Sequence, residues 1–160
     1  MRTFLILSMM LVASIAGAQN KLTVVVDGIE KTEGTVLVAV YDSVTFLKQE
    51  PLFAGMAKVG EKEEKGETGE AGEAGETGEM GEAVDEVTVV IENVPAGKYA
   101  IAIFHDENGN FTLDTGAFGI PIEKFGFSNN IKLKMGPPEF KECMVAVEED
   151  TEINITLIKF

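Results

Sequence analysis

One cysteine, one histidine and five prolines in 160 residues remove several explanations at the outset. With Cys143 alone, no intramolecular disulfide can form, so a packed core has to supply the stability. Cys143 falls in the apolar run Cys143-Met144-Val145-Ala146-Val147, where a free thiol acts as a small buried hydrophobe; the competing reading is a nucleophilic or dimer-linking thiol. With His105 alone, a transition-metal site lacks its usual second imidazole or thiolate. Basic residues are scarce as well: 13 Lys and Arg against 27 Asp and Glu give a net charge of -14, which argues against nucleic acid or an anionic membrane surface as partner. No Gly-x-Ser-x-Gly, His-Glu-x-x-His or Gly-rich phosphate loop occurs. The expectation is a protein that is not an enzyme. The alternative is a secreted hydrolase that uses His105 with a nearby carboxylate, Asp106 or Glu123.

Long apolar runs are limited to the N-terminus. Residues 1–18 carry Arg2, then the stretch FLILSMMLVASIA, then Ala16-Gly17-Ala18. A short positive start, an apolar core too short to span a bilayer and small residues at the end make a signal peptide cleaved near Ala18. Gln19 rather than Cys follows, so no lipid anchor is expected. The mature chain is therefore expected to be soluble, periplasmic or secreted, without a membrane span, and monomeric.

What remains is strand chemistry. Residues 21–29 and 35–41 alternate and are rich in valine, and their pattern predicts an antiparallel hairpin across a Gly-ended turn. Asp42-Ser43 offers cap oxygens for one helical turn over 44–49, ended by Pro51, and 52–59 suits a short strand. Residues 84–91 and 98–104 flank Pro95-Ala96-Gly97 and read as a second hairpin. Residues 132–139 read as irregular, and 140–148 with 153–158 as a third hairpin. About seven strands and almost no helix predict an all-β fold, an antiparallel β-sandwich forming a single domain over 19–160.

Inside that domain, residues 66–83 spell six Gly-Glu-X triplets, GETGEAGEAGETGEMGEA. Glycine at every third position is the collagen period, so a short triple-helical trimeriser is one reading. The run holds no proline and starts and ends within a β-domain. Residues 60–83 are therefore read as a disordered acidic insertion at a tolerant loop tip.

The densest chemistry lies over 104–130, FHDENGNFTLDTGAFGIPIEKFGFSNN. Asp106, Asn108, Asn110 and Asp114 stand at relative positions 1, 3, 5 and 9, with the Thr112 carbonyl at position 7. That is the oxygen comb of a calcium loop. Phe111 stands where such a loop has its turning glycine, and Ala117 where it has its bidentate glutamate; Glu107 or Glu123 would have to complete the shell. The same residues also suit Asx-turns that need no ion. His105, Phe118, Phe125, Phe127, Ser128, Asn129 and Asn130 form a candidate ligand loop, whose aromatic faces and amides suit a peptide or glycan. The competing reading is a long loop pinned to the sandwich by its phenylalanines.

The blocks Asn93-Val94-Pro95-Ala96-Gly97-Lys98-Tyr99, Phe104-His105-Asp106-Glu107-Asn108-Gly109-Asn110, Leu113-Asp114, Phe118-Gly119-Ile120-Pro121, Phe125-Gly126-Phe127-Ser128-Asn129-Asn130 and Gly136-Pro137-Pro138 with Phe140 carry a resemblance. In that order they resemble the domain of unknown function 2141 family, small proteins exported by Gram-negative bacteria, over roughly 22–160. The family usually has glycine where Phe111 stands here, and the triplet run looks like an insertion private to this chain. The resemblance implies an immunoglobulin-like or transthyretin-like sandwich and an exported location, and no activity. The resulting expectation is a non-catalytic exported binding or structural module. Its 105–130 loop would bind Ca2+ and contact an envelope protein, peptide or glycan.

Overall fold

The computed structural model describes residues 19–60, 86–133 and 136–159. The expected signal peptide and all but Gly60 of the triplet-containing insertion lie outside the described residues. Among the described residues eight strands follow one another: β1 (Gln19–Asp27), β2 (Thr35–Tyr41), β3 (Phe53–Lys58), β4 (Glu86–Pro95), β5 (Gly97–Asp106), β6 (Phe125–Phe127), β7 (Met144–Val147) and β8 (Thr151–Thr156). One helical turn, α1 (Phe140–Cys143), precedes β7. One sheet has the order β4-β1-β8. The other runs β3-β2-β5-β6, with β7 paired to the first half of β5 beside β6.

Alternation sets the inner faces. Leu22, Val24 and Val26 of β1, Val36, Val38 and Val40 of β2, and Ile101 and Ile103 of β5 are buried in one cluster between the sheets, as period-2 patterning requires. A satellite cluster gathers Phe46, Ala100 and Cys143 with Tyr41, Phe127, Ile131 and Phe140 packed around them. The all-β sandwich is the observed class. Cys143 is fully buried within it, and burial pushes its thiol up to about 11.

None of the three expected hairpins forms. β1 pairs β4 antiparallel and β8 in parallel, while β2 pairs β3 and β5, so β1 and β2 sit in opposite sheets. β4 and β5 are likewise split. Pro95-Ala96-Gly97 is a corner where the chain changes sheet, locked by the Tyr99 hydroxyl, which donates to the Pro95 carbonyl at 2.9 Å. A Cβ at Gly97 would sit 3.0–3.1 Å from the Tyr99 phenol ring, so that corner has little room for a side chain. β7 and β8 are also in different sheets. Residues 140–143 form α1 rather than strand because Glu139 and Glu142 make a reciprocal capping box. The strand expected over 52–59 forms as β3, and 44–49 forms the turn that Asp42 caps.

Candidate functional site

At the end of β5 two loops leave the sandwich in succession, 107–114 and 115–123, before the chain returns as β6. Successive strand residues point to opposite faces. His105 therefore turns inward with Ile101 and Ile103, and Asp106 turns the other way. His105 is fully buried; its Nε2 lies 2.8 Å from the Glu33 carbonyl. A carbonyl only accepts, so Nε2 carries the ring proton, and Nδ1 has no hydrogen-bond partner among the described residues. Gly34 lets the chain close over the ring: a Cβ there would lie 2.7 Å from Nε2 and 2.5 Å from the Asp106 carbonyl oxygen.

Asp106 organises the first loop. Oδ1 accepts from the amides of Gly109 at 2.8 Å and of Asn108 and Asn110 at 3.3 Å, and Oδ2 accepts from Phe111 at 2.8 Å. Burial pushes its carboxyl up, but the amides of Phe111, Gly109, Asn110 and Asn108 outweigh it and hold the carboxyl below the usual aspartate range. Phe111 takes a left-handed conformation with φ 58°, which is the physical reason glycine suits that position. Glu123 braces the loop from below. Its Oε1 accepts from the Glu107 amide at 3.0 Å and its Oε2 from the Asp114 amide at 2.9 Å. Lys124 beside it donates to the Gly28 carbonyl at 2.7 Å and pairs with Glu30 at 2.8 Å.

The comb's side chains are brought together. Asn108 Nδ2 donates to Asp114 Oδ2 at 2.5 Å and Asn110 Nδ2 to Asp114 Oδ1 at 3.1 Å, while the two asparagine oxygens accept from the amides of Asn110 and Thr112. For a cation to take oxygen ligands there, both amides would have to turn. Among the described residues, no group of three or more His, Cys, Asp or Glu is placed to hold a metal.

The second loop is a small flap. Ile122 donates to the Asp114 carbonyl at 2.9 Å and Gly116 to the Ile120 carbonyl at 2.8 Å, with Thr115 bridged to Pro121. At its tip Phe118 has φ 61° and is 98% exposed. Behind it opens a groove of about 640 Å³. Phe125 and Phe127, packed edge to face at 6.0 Å, form its floor. Leu113, Phe118, Ile120 and Pro121 stand on one side, and Leu47, Leu133, Pro137 and Pro138 complete the lining. Leu47 is presented by the turn whose Phe46 is buried in the satellite cluster, and it too is left-handed, with φ 53°.

Of the expected ligand loop, Phe118, Phe125 and Phe127 therefore meet at one groove, with Phe125 buried, Phe127 half-buried and Phe118 exposed. The others are placed elsewhere. His105 is enclosed in the core. Ser128 Oγ accepts from the Ile101 amide at 3.0 Å and donates to the Cys143 carbonyl. Asn129 Nδ2 donates to the Glu142 and Met144 carbonyls, and Asn130 accepts from the Thr156 amide and donates to the Asn154 carbonyl. Sequence reasoning included Leu113, Ile120 and Pro121 in the 105–130 loop without singling them out, and missed Leu47, Leu133, Pro137 and Pro138. Their signal was apolar side chains in stretches with no strand period, flanked by glycine and proline.

What fold and site define together is a two-sheet β-sandwich with a carboxylate-braced loop and an apolar groove at one end. The chain belongs to the family described as uncharacterized protein conserved in bacteria (DUF2141), which it matches over residues 24–155. No curated protein and no solved structure matches it.

Proposed function

We propose that this protein is an exported, non-catalytic binding module that takes an apolar ligand in the groove between the 115–121 flap and the 133–138 segment. One observation carries this. Leu47, Phe111 and Phe118 are the only non-asparagine, non-glycine residues in the left-handed region among the described residues; the Asp106 carboxylate holds Phe111, and the other two, both with exposed apolar side chains, wall the groove. Left-handed backbone costs about 1–2 kcal/mol for such a residue, and exposing it adds nothing to folding stability. Strain that serves neither packing nor solubility is what a binding surface retains. The lining is Leu, Phe, Ile, Pro and Gly. That suits an alkyl or aromatic group better than a glycan, which would find no side-chain hydrogen-bond partners there among the described residues. Non-catalytic use fits His105, which exposes no surface to a substrate, and Asp106, whose oxygens already serve four amides.

The test is a titration of the protein into an uncharged naphthylamine fluorophore that brightens in apolar surroundings. Saturable brightening that Phe118→Asp and Leu47→Asp each weaken at least tenfold is the expected result. Brightening that is absent, or unaffected by either substitution, overturns the reading.

A second reading concerns calcium: Asn108, Asn110 and Asp114 are close enough to share an ion once both asparagine amides turn their oxygens toward it. Asp106, Asn108, Asn110, the Thr112 carbonyl and Asp114 would supply the oxygens. Two carboxylates with two amides imply weak, millimolar-range binding. Thermal unfolding in chelator and across a calcium titration tests it. A concentration-dependent rise in Tm that Asp114→Asn reduces supports the ion. A flat response leaves the comb as turn chemistry.

A further inference from the structure

Resting on that reading, we infer that the groove's ligand is an anionic amphiphile, an alkyl chain whose acidic head is met by Lys48. A second hollow of about 320 Å³ adjoins the groove, sharing Leu47, Pro137 and Pro138 with it. Its lining changes character there: Ser43, Lys48 and Glu139 join Phe46 and Phe140. An apolar hollow thus shares a wall with a more polar one, an arrangement that suits a chain with a single polar head. The charges at the more polar hollow are unequal in their commitments. The Glu139 carboxylate is engaged by Lys141 Nζ at 2.8 Å, and Asp42 below the turn is engaged by the amides of Val44 and Thr45 and by the Thr45 hydroxyl. Lys48 Nζ makes no ion pair among the described residues. Among the described residues it is the one uncommitted side-chain charge lining the hollow, and the Ser43 hydroxyl stands in the same lining as a neutral donor.

The chain's net charge of -14 works against an anionic membrane surface, which would need many basic contacts. A single acid head is a different case. Charges beyond a Debye length are screened, so the local pairing at the more polar hollow decides.

The experiment is displacement of the uncharged fluorophore from the protein by four chain-matched ligands below their micelle concentrations: dodecanoate, dodecyl phosphate, dodecanol and dodecylammonium. Dodecanoate or dodecyl phosphate is expected to displace at about fivefold lower concentration than dodecanol, the size of one partly exposed ion pair, and dodecylammonium to be the weakest. Whichever acid leads separates a free fatty acid from a phosphate-headed lipid fragment as the source. In Lys48→Glu, each ligand compared with dodecanol on the same variant, the order of acid and amine should reverse. Equal displacement by all four, or an unchanged order in Lys48→Glu, overturns the acid-head inference while the apolar groove stands. A fluorophore that never binds the parent protein overturns both.

Discussion

The two loops that follow β5 are built on opposite principles. In 107–114 nearly every backbone amide is committed to a side-chain oxygen: Asp106 and Glu123 between them take six backbone amide contacts, and the strained Phe111 donates one of them at 2.8 Å. In 115–121 the strained Phe118 has only backbone turns around it, and its ring touches almost nothing. The same left-handed conformation is over-determined in one loop and merely tolerated in the other. The first loop holds the end of the sandwich together and gives the second a fixed base from which to present an apolar side chain. Strain with compensation reads as architecture, and strain without it reads as a binding surface.

The largest expected effect breaks the first loop. Asp106→Ala removes the acceptor of four part-buried amides and should cost about 2 kcal/mol, measured by urea unfolding at neutral pH. Asp106→Asn keeps one acceptor oxygen and should cost about half as much. The pH dependence has a definite sign. The Asp106 carboxyl is held lower in the folded chain than in the unfolded one, so its stabilisation is fully present above the unfolded value, about 3.9, and is lost as pH falls through the folded value. The gap between parent and Asp106→Asn should therefore close in acid. A gap that stays constant to pH 2 would mean the carboxylate is not what holds the loop.

Next comes the brace. Glu123→Gln keeps the shape but turns an NH2 toward the amide of either Glu107 or Asp114, and about 1–2 kcal/mol should be lost. Were Glu123→Gln neutral while Asp106→Ala was not, the two loops would be less tightly joined than the paired amide contacts imply.

The comparison sharpens at the two phenylalanines. Phe111→Gly and Phe118→Gly each relieve a left-handed residue, and each should raise stability by about 1 kcal/mol, since neither ring is buried. Only Phe118→Gly should weaken binding of the apolar fluorophore. If both variants bind equally well, the uncompensated strain at Phe118 has another explanation.

The strands were legible because burial alternates with period 2. The valines of β1 and β2 and the inward set of β5 announce their faces without any knowledge of neighbours. Partners were not legible from the same signal. β1 has a strand on each side, one of them parallel, and a parallel neighbour cannot come from a hairpin. Pro95-Ala96-Gly97 looked like a hairpin turn because turn residues mark a reversal or a corner alike. Tyr99 was the discriminating residue, since its hydroxyl reaches back to Pro95 across the corner. At the site, the Asp and Asn comb was legible as a tight loop, and the roles of Ser128, Asn129 and Asn130 were not. Amide and hydroxyl side chains suit a ligand or a backbone equally well, and only tertiary placement shows them tying the satellite cluster, α1 and β8 together. The groove was half legible. Its phenylalanines stood out, while Leu47 and Pro137 lie far from them in sequence and meet them through the fold.

The smallest expected effect is also the most discriminating for the first loop. Lys31 pairs with Glu107 across the loop's entrance, and the Glu107 carboxylate pushes the Lys31 ammonium up. Lys31 is well exposed, so solvent screening should leave the pair without measurable value. Lys31→Ala is expected to leave Tm unchanged at low and at high salt. This outcome matters because Glu107 is held a second way, through its amide to Glu123 Oε1, and that bond lies in the buried brace. If buried carboxylates accepting amides are what fix the loop, removing the surface charge changes nothing while Glu123→Gln does. A Lys31→Ala loss as large as that of Glu123→Gln, and erased by salt, would place the loop's anchorage at the surface. The contrast between a loop fastened from within and a flap left free would then no longer hold.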